Sequence, residues 1–182
     1  MIIWIARIDD LKRKYNGLYK FYTTMKFDLK VDNSRFGKGL FSKRPFFIGD
    51  IISRFTGQKI SFLDTLLLGE FECYPIQIDN DMYLHPDEPY CYINHSCDPN
   101  CGINENLELI AIKDIHTNEE LFFDYSTSML ERHWQMDCLC NSAYCRKTIK
   151  DFDFLPDEIR KKYIELNIVQ PFIKHFINNQ NT

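Results

Sequence analysis

Apolar and polar residues alternate in several short runs through the middle of the chain, a pattern typical of strands with one buried face. Turn-forming residues bound these runs. Gly49 and Asp50 precede one run, Gly57 closes it, and a turn at 32–34 ends another. The pattern predicts strands at 27–31, 51–55, 74–78, 82–84, 107–112 and 121–125. We therefore expect a mostly β fold with short helices, built from several small sheets.

Helical patterns occur at the two ends of the chain and once in the middle. Residues 1–25 predict a short strand and then a helix, and residues 62–72 predict another short helix. Pro156 comes directly before two acidic residues, which predicts a helix with the proline at its first position. Pro171 begins a second helical stretch. No repeat or linker divides the chain, so we expect a single domain with C-terminal helices packed on it.

Charge and composition narrow the classes of function. The formal net charge is -4, whereas a protein that binds the nucleic-acid backbone normally carries a basic stripe. The charge therefore disfavours direct nucleic-acid binding and is compatible with a basic peptide partner. The apolar residues 1–6 end at Arg7, and this run is too short to span a membrane. We expect a soluble, intracellular protein.

The cysteines indicate a metal site. The chain has seven, an odd number, and Cys138, Cys140 and Cys145 form a compact C-x-C-x4-C cluster. A structural zinc site needs four protein ligands in a tetrahedron, so one more ligand must come from elsewhere. Spacing alone leaves five candidates, namely Cys73, Cys91, Cys97, Cys101 and His133. A site of four ligands has no open position for water, which disfavours a metallohydrolase.

Three motifs stand together with this cluster. Residues 94–100 read N-H-S-C-D-P-N, residues 120–125 read E-L-F-F-D-Y, and residues 36–39 read F-G-K-G. In this order they resemble the SET domain of protein-lysine methyltransferases, in a compact bacterial-type form with a zinc-binding post-SET segment. The resemblance implies a SET fold of small curved sheets with a pseudoknot. It divides the chain into an N-terminal extension (1–26), the SET domain (27–130), the post-SET segment (131–150) and a helical tail (151–182).

The resemblance also implies a role for individual residues. It makes Tyr125 the catalytic tyrosine and Phe123 the position that controls how many methyl groups are added. Cys97 becomes the fourth zinc ligand beside the three clustered cysteines. Contacts to S-adenosylmethionine are expected from Lys38, Gly39, Leu40, Tyr92, Asn94, His95 and Tyr125. Two positions depart from the family pattern: Cys91 replaces an arginine, and Phe55 stands where many relatives have a tyrosine that helps to position the amine.

The function implied is methyl transfer from S-adenosylmethionine to a lysine of a protein or peptide such as a histone tail. A protonated lysine has no lone pair, so the amine must lose its proton, and an apolar slot beside a positive sulfonium favours that loss. We expect a monomer or simple homo-oligomer with no nucleic-acid or membrane partner. The alternative is a catalytically weak, zinc-stabilised SET-like module that binds a peptide without turnover.

Overall fold

A computed structural model describes residues 28–71, 73–132 and 134–180. Within these ranges the chain forms short strands arranged in five small sheets, with short helices between and after them. The predicted mostly β fold with short helices is therefore confirmed. The strand and helix predicted for residues 1–25 lie outside the described residues.

A hairpin opens the described chain. Strand β1 (Leu29–Ser34) pairs antiparallel with β2 (Gly37–Ser42), and Ser34 lies opposite Gly37. The predicted turn at 32–34 is wrong, because β1 continues to Ser34 and only two residues form the turn. Asp32 and Asn33 stay in the strand because they are exposed and their side chains remain hydrated, and the partly buried Ser34 hydroxyl donates to Glu120. Gly37 follows the turn with a φ of 103°, which glycine adopts readily.

Two antiparallel three-stranded sheets form the centre of the domain. One has the order β3-β9-β8, and its strands are β3 (Ile51–Arg54), β8 (Cys101–Ile103) and β9 (Glu108–Ala111). The other has the order β4-β6-β5, and its strands are β4 (Gly57–Ile60), β5 (Ile76–Asp79) and β6 (Met82–Pro86). Between β4 and β5 lie helix α1 (Phe62–Thr65) and a 3-10 segment (Leu66–Phe71), as predicted for 62–72.

Gly57 begins a strand, although the sequence pattern predicted that it would close one. A Cβ atom at Gly57 would lie 2.1 Å from the carbonyl oxygen of His85 in the neighbouring strand β6. Only glycine allows the two backbones to approach so closely. The close approach of a partner strand, which is remote in sequence, is what the local turn signal did not reveal.

Two very short strands join distant parts of the chain. Strand β7 (Asn94–His95) pairs in parallel with β10 (Phe122–Phe123). Residues 94–95 lie outside the strands predicted from the sequence, because their partner is remote in sequence and local polarity carries no information about it. The strand predicted for 121–125 ends at Phe123. The carboxylate of Asp124 then accepts a hydrogen bond from the backbone N–H of Ser126 and caps a 3-10 turn that begins at Tyr125.

The two last short strands, β11 (Met136–Asp137) and β12 (Thr148–Ile149), enclose the cysteine-rich segment. Helices α2 (Asp157–Glu165) and α3 (Pro171–Gln180) follow. Pro171 begins its helix as predicted, whereas Pro156 precedes the first helical residue by one position. The tail packs on the domain: Tyr163 and Ile173 are buried in a cluster that also contacts Ile110 and Ile112. No helix among the described residues is long and apolar enough to cross a membrane.

Candidate active site and metal centre

A cavity of about 970 Å³ lies beside the β7–β10 pair. Its volume falls in the range of pockets that enclose a drug-sized or cofactor-sized ligand. The predicted site residues that line it are Lys38, Tyr92, Asn94, His95, Phe123 and Tyr125. Two predicted cofactor residues lie elsewhere: Leu40 is fully buried in the core, and Gly39 packs against the Glu120 side chain. The structure thus brings most of the predicted site to one cavity, but not Gly39 and Leu40.

Tyr125 lies at the wall of this cavity with a fixed hydroxyl. The hydroxyl donates a hydrogen bond to the backbone carbonyl of Ile93 at 2.9 Å. The ring packs against Phe123 and His95, with centroids 4.8 Å and 5.2 Å away. Burial raises the pKa of the Tyr125 hydroxyl, so the phenol keeps its proton at neutral pH. Its hydrogen is committed to Ile93, and its oxygen can still accept a hydrogen bond from an amine.

Asn94 connects the cavity to the first hairpin. Its side-chain amide donates to the carbonyl of Lys38 at 2.9 Å and to the carboxylate of Glu120 at 2.8 Å. The other carboxylate oxygen of Glu120 accepts from the Ser34 hydroxyl at 3.0 Å. Glu120 therefore holds β7 and the hairpin together. No role was predicted for Glu120, although its place as the first residue of E-L-F-F-D-Y was a usable signal.

His95 lies between Tyr125 and the cysteine cluster. Burial lowers its pKa to about 4 even though Asp124 opposes the shift, so the ring is neutral at pH 7. Its Nδ1 accepts a hydrogen bond from the backbone N–H of Tyr125 at 3.2 Å. The proton therefore resides on Nε2, which lies 3.3 Å from the Cys97 sulfur. One neutral ring thus links the tyrosine backbone to the cysteines.

Two cations and two aromatic rings also line the cavity. The Lys38 ammonium lies 5.0 Å from the centre of the Tyr92 ring, and the Arg35 guanidinium lies 4.6 Å from that of Phe36. The Tyr92 hydroxyl donates to Glu88, and this hydrogen bond raises its pKa to about 12. Arg35 also donates to the carbonyl of Cys140. Arg35 was missed from sequence, because nothing local indicated that the hairpin turn reaches the cysteine segment.

Phe55 is not at the cavity. It is 4% exposed and packs against Tyr90 in the core, with ring centroids 5.4 Å apart. Tyr90 lines the cavity instead, and its hydroxyl shares a hydrogen bond with the Ser53 hydroxyl at 2.7 Å. Phe55, which stands where many relatives have a tyrosine, therefore offers neither a hydroxyl nor a side-chain wall to the cavity.

The four predicted zinc ligands come together. The sulfur atoms of Cys97, Cys138, Cys140 and Cys145 all lie within 4.8 Å of one another. Those of Cys97 and Cys138 are 3.6 Å apart. A tetrahedral zinc with bonds of about 2.3 Å requires sulfurs about 3.8 Å apart, so the spacing fits zinc. Cys101 instead donates to the Phe122 carbonyl, and His133 lies outside the described residues.

The thiols of this cluster differ in acidity. Burial raises the pKa of Cys97 to about 11. Burial also opposes ionisation of Cys140, but hydrogen bonds with Ser142 lower its pKa to about 6. Zinc binds thiolates, so a zinc ion in this cluster would displace protons from thiols such as Cys97.

Comparison with known proteins defines the class. Residues 37–126 match the family model described as SET domain, and this stretch includes N-H-S-C and Tyr125. This stretch of the chain is therefore a SET domain. The match ends before the cysteine cluster, so the post-SET and bacterial-type assignments stay predictions.

The chain covers less than a third of the length of each of three relatives. Histone-lysine N-methyltransferase 2B of Homo sapiens is 27% identical over 131 residues, which are 61% of this chain and 5% of that protein. The variant-silencing SET domain-containing protein of Plasmodium falciparum is 29% identical over 140 residues, 65% of this chain and 5% of the relative. Histone-lysine N-methyltransferase, H3 lysine-9 specific dim-5, of Neurospora crassa is 34% identical over 105 residues, which are 46% of this chain and 30% of that protein.

Among solved structures, a humanized mutant of the Chaetomium thermophilum Polycomb Repressive Complex 2 bound to an inhibitor is 23% identical to this chain. The likeness covers 56% of this chain and 15% of that one, with a TM-score of 0.49. This degree of likeness supports no inference about function.

Proposed function

We propose that the chain is a protein-lysine N-methyltransferase that uses S-adenosylmethionine. The observation that carries the proposal is the fixed hydroxyl of Tyr125 at the wall of the cavity in a SET domain. Two of the three relatives are named histone-lysine N-methyltransferases, which supports the same activity. Their names also favour a lysine in a protein such as a histone as the substrate.

The cavity suits S-adenosylmethionine in size and chemistry. Phe36, Tyr92 and Trp134 offer flat apolar surfaces for an adenine ring, and Arg35 and Lys38 offer positive charge for a carboxylate. Buried His95 is neutral and adds no positive charge near a sulfonium. When bound, S-adenosylmethionine supplies a methyl group on a positively charged sulfur. We propose Lys38, Tyr92, Asn94, His95 and Tyr125 as the residues that hold it.

The residues beside Tyr125 can prepare the lysine amine. Phe123 and Tyr90 give the cavity apolar walls, which disfavour the charged ammonium and lower the pKa of an entering lysine. The Tyr125 hydrogen is held by Ile93, so its oxygen accepts an N–H of the neutral amine. That hydrogen bond directs the amine lone pair, a proximity effect that is lost if the hydroxyl is absent. Phe123 carries no hydroxyl and leaves room for an amine that is already methylated.

We propose a structural role for a zinc ion at Cys97, Cys138, Cys140 and Cys145. Four thiolates fill a tetrahedron and leave no position for water or substrate. The ion would fasten the segment between β11 and β12 to the loop that follows β7. An intracellular location and a monomer or simple homo-oligomer stay predictions.

The test compares methyl transfer by the purified chain and by Tyr125→Phe. With labelled S-adenosylmethionine, core histones and a cell-extract protein set, we expect label on lysine with the wild type. We expect about a hundredfold lower kcat for the variant, the size of loss that follows misplaced reactants. Cofactor affinity should stay within about twofold, because the ring and its packing remain. Cofactor binding without transfer to any protein would contradict the proposal and favour the binding module.

A further inference from the structure

A buried carboxylate directly precedes the proposed catalytic tyrosine. The side chain of Asp124 is 0% exposed. Its Oδ1 accepts hydrogen bonds from the Arg146 guanidinium at 2.7 Å and from the Ser126 N–H at 3.2 Å. Its Oδ2 accepts from the same guanidinium at 2.7 Å and from the Tyr163 hydroxyl at 3.0 Å. The carboxylate is thus held by groups from three separate parts of the chain.

Such a carboxylate cannot change its position easily. A buried charge is tolerated only where it is paired and hydrogen-bonded, so Asp124 must stay within reach of its donors. The guanidinium binds both oxygens in a planar fork, which fixes the orientation of the carboxylate as well as its distance. The donors therefore determine where the side chain of Asp124 lies.

Arg146 also contacts the cysteine cluster. It follows Cys145 in sequence, and its backbone N–H donates to the Cys97 sulfur at 3.4 Å. Tyr163 comes from helix α2, and it is 2% exposed. The cysteine segment and helix α2 thus meet at the same carboxylate.

The backbone at Asp124 determines where Tyr125 lies. The Asp124 carbonyl accepts from the N–H and from the hydroxyl of Thr127, at 3.0 Å and 2.8 Å, which closes the turn that begins with Tyr125. With the turn in this orientation, the Tyr125 hydroxyl reaches the Ile93 carbonyl at 2.9 Å. A small rotation at Asp124 would therefore move the hydroxyl away from Ile93.

We propose that Arg146 and Tyr163 are positioning residues that hold Asp124, so that the cysteine segment and helix α2 together set the position of the Tyr125 hydroxyl. The inference rests on the proposed methyltransferase function for its kinetic consequence. Its structural content does not rest on that function. This content is that the position of Tyr125 depends on a helix outside the residues matched to the SET family.

The sharpest variant is Tyr163→Phe, because it removes one oxygen and keeps the buried ring. Arg146→Lys keeps the positive charge and loses the planar fork. Asp124→Asn is less suitable, because it leaves a buried guanidinium without its partner charge and is prone to unfold the chain. The matched control is Tyr144→Phe, whose side chain lies in the cysteine segment and is 70% exposed.

Two measurements test the proposal. We expect Tyr163→Phe and Arg146→Lys to lower kcat about tenfold with both KM values within about twofold, since misplaced reacting groups affect the chemical step. The second measurement is the fluorine NMR signal of fluorotyrosine incorporated at position 125. It should shift in both variants and stay unchanged in Tyr144→Phe, whether or not the protein is active.

The outcomes are distinguishable. An unchanged fluorine signal in both folded variants would overturn the positioning role. Lower thermal stability with unchanged kcat and unchanged signal would do the same, because it describes a purely structural contact. A wild type that transfers no methyl group would contradict the proposed function alone, and the fluorine signal would still decide the positioning role.

Discussion

At the scale of single residues, the site depends on which hydroxyls are present and where their hydrogens point. Tyr125 has a hydroxyl that is fixed by Ile93, and Phe123 beside it has none. The two ring centroids are 4.8 Å apart, so a hydroxyl added to Phe123 would lie close to the space beside the Tyr125 hydroxyl. The pair therefore combines an anchor for the amine with free volume beside it.

Phe123 should permit transfer of more than one methyl group. Its ring lines the cavity and is 5% exposed, so a hydroxyl added at its edge would occupy space or bind a water there. We expect Phe123→Tyr to shift the product toward monomethyl-lysine and to leave the first transfer within about threefold, because Tyr125 is untouched. Product masses followed over time on an accepted peptide provide the measurement. A wild type that stops at monomethyl-lysine with cofactor in excess would contradict this role.

At the scale of elements, the cysteine segment is joined to the domain by few but specific contacts. Cys138 N–H donates to the Lys147 carbonyl within the segment, and Cys97 brings in the loop after β7. The two flanking strands are only two residues long each. Strands this short need another source of stability, and a metal that binds four sulfurs can supply it.

Loss of the metal should therefore loosen this segment. We expect about one zinc per chain in protein purified without chelator, as a single four-ligand site requires. Cys138→Ser should lower the zinc content and the melting temperature, because metal binding is coupled to folding. Cys101→Ser is the matched control: its thiol is fully buried but lies outside the cluster, so zinc content should stay near one. Full zinc retention by Cys138→Ser would contradict the assigned ligand set.

The elements that the sequence predicted are those that a local pattern defines. Strands and helices with a clear period, such as β9 and the helix that begins at Pro171, were predicted within a few residues. Asn94–His95 was not, because its strand exists only through a partner remote in sequence. Gly57 was read as a turn for the same reason, since the β6 backbone that requires a glycine is not visible locally.

Some residues of the candidate site were predicted from the sequence and others were not. Motif residues such as Asn94, His95 and Tyr125 could be assigned because a family resemblance supplied their roles, and the structure places them at one cavity. Arg146 and Tyr163 carry no local signal, because their importance lies in meeting one carboxylate from two distant elements. Leu40 was assigned to the cofactor, yet its side chain is needed by the core.

At the scale of the whole molecule, the tail is an integral layer of the domain. A Cβ atom at Gly102 in β8 would lie 2.5 Å from a methyl carbon of Ile168, between helices α2 and α3. The amide of Gln170 donates to the carbonyls of Ile103 and Asn104, both at 3.3 Å. The tail is therefore in direct contact with the β3-β9-β8 sheet.

Gly102→Ala should consequently destabilise the protein. The added methyl group cannot be accommodated by a flexible side-chain end, because the branched carbon of Ile168 is itself 2.7 Å away. Overpacking of this kind costs about 1–3 kcal/mol, or roughly 2–4 °C of melting temperature for each kcal/mol in a chain of this size. Ile168→Ala in the same chain should relieve part of the clash, so the two changes should be non-additive. Additive losses would contradict the packing.

The hydrogen bond between Tyr163 and Asp124 has a consequence for how the molecule opens. Because α2 contacts the same carboxylate that precedes Tyr125, we expect local unfolding of the tail to disrupt the binding site as well. Any ligand that binds only the intact site therefore shifts the opening equilibrium of a helix that it does not touch. Amide hydrogens of α2 should then exchange with solvent more slowly when such a ligand is bound. Hydrogen exchange in the tail would thus report whether the cavity is occupied.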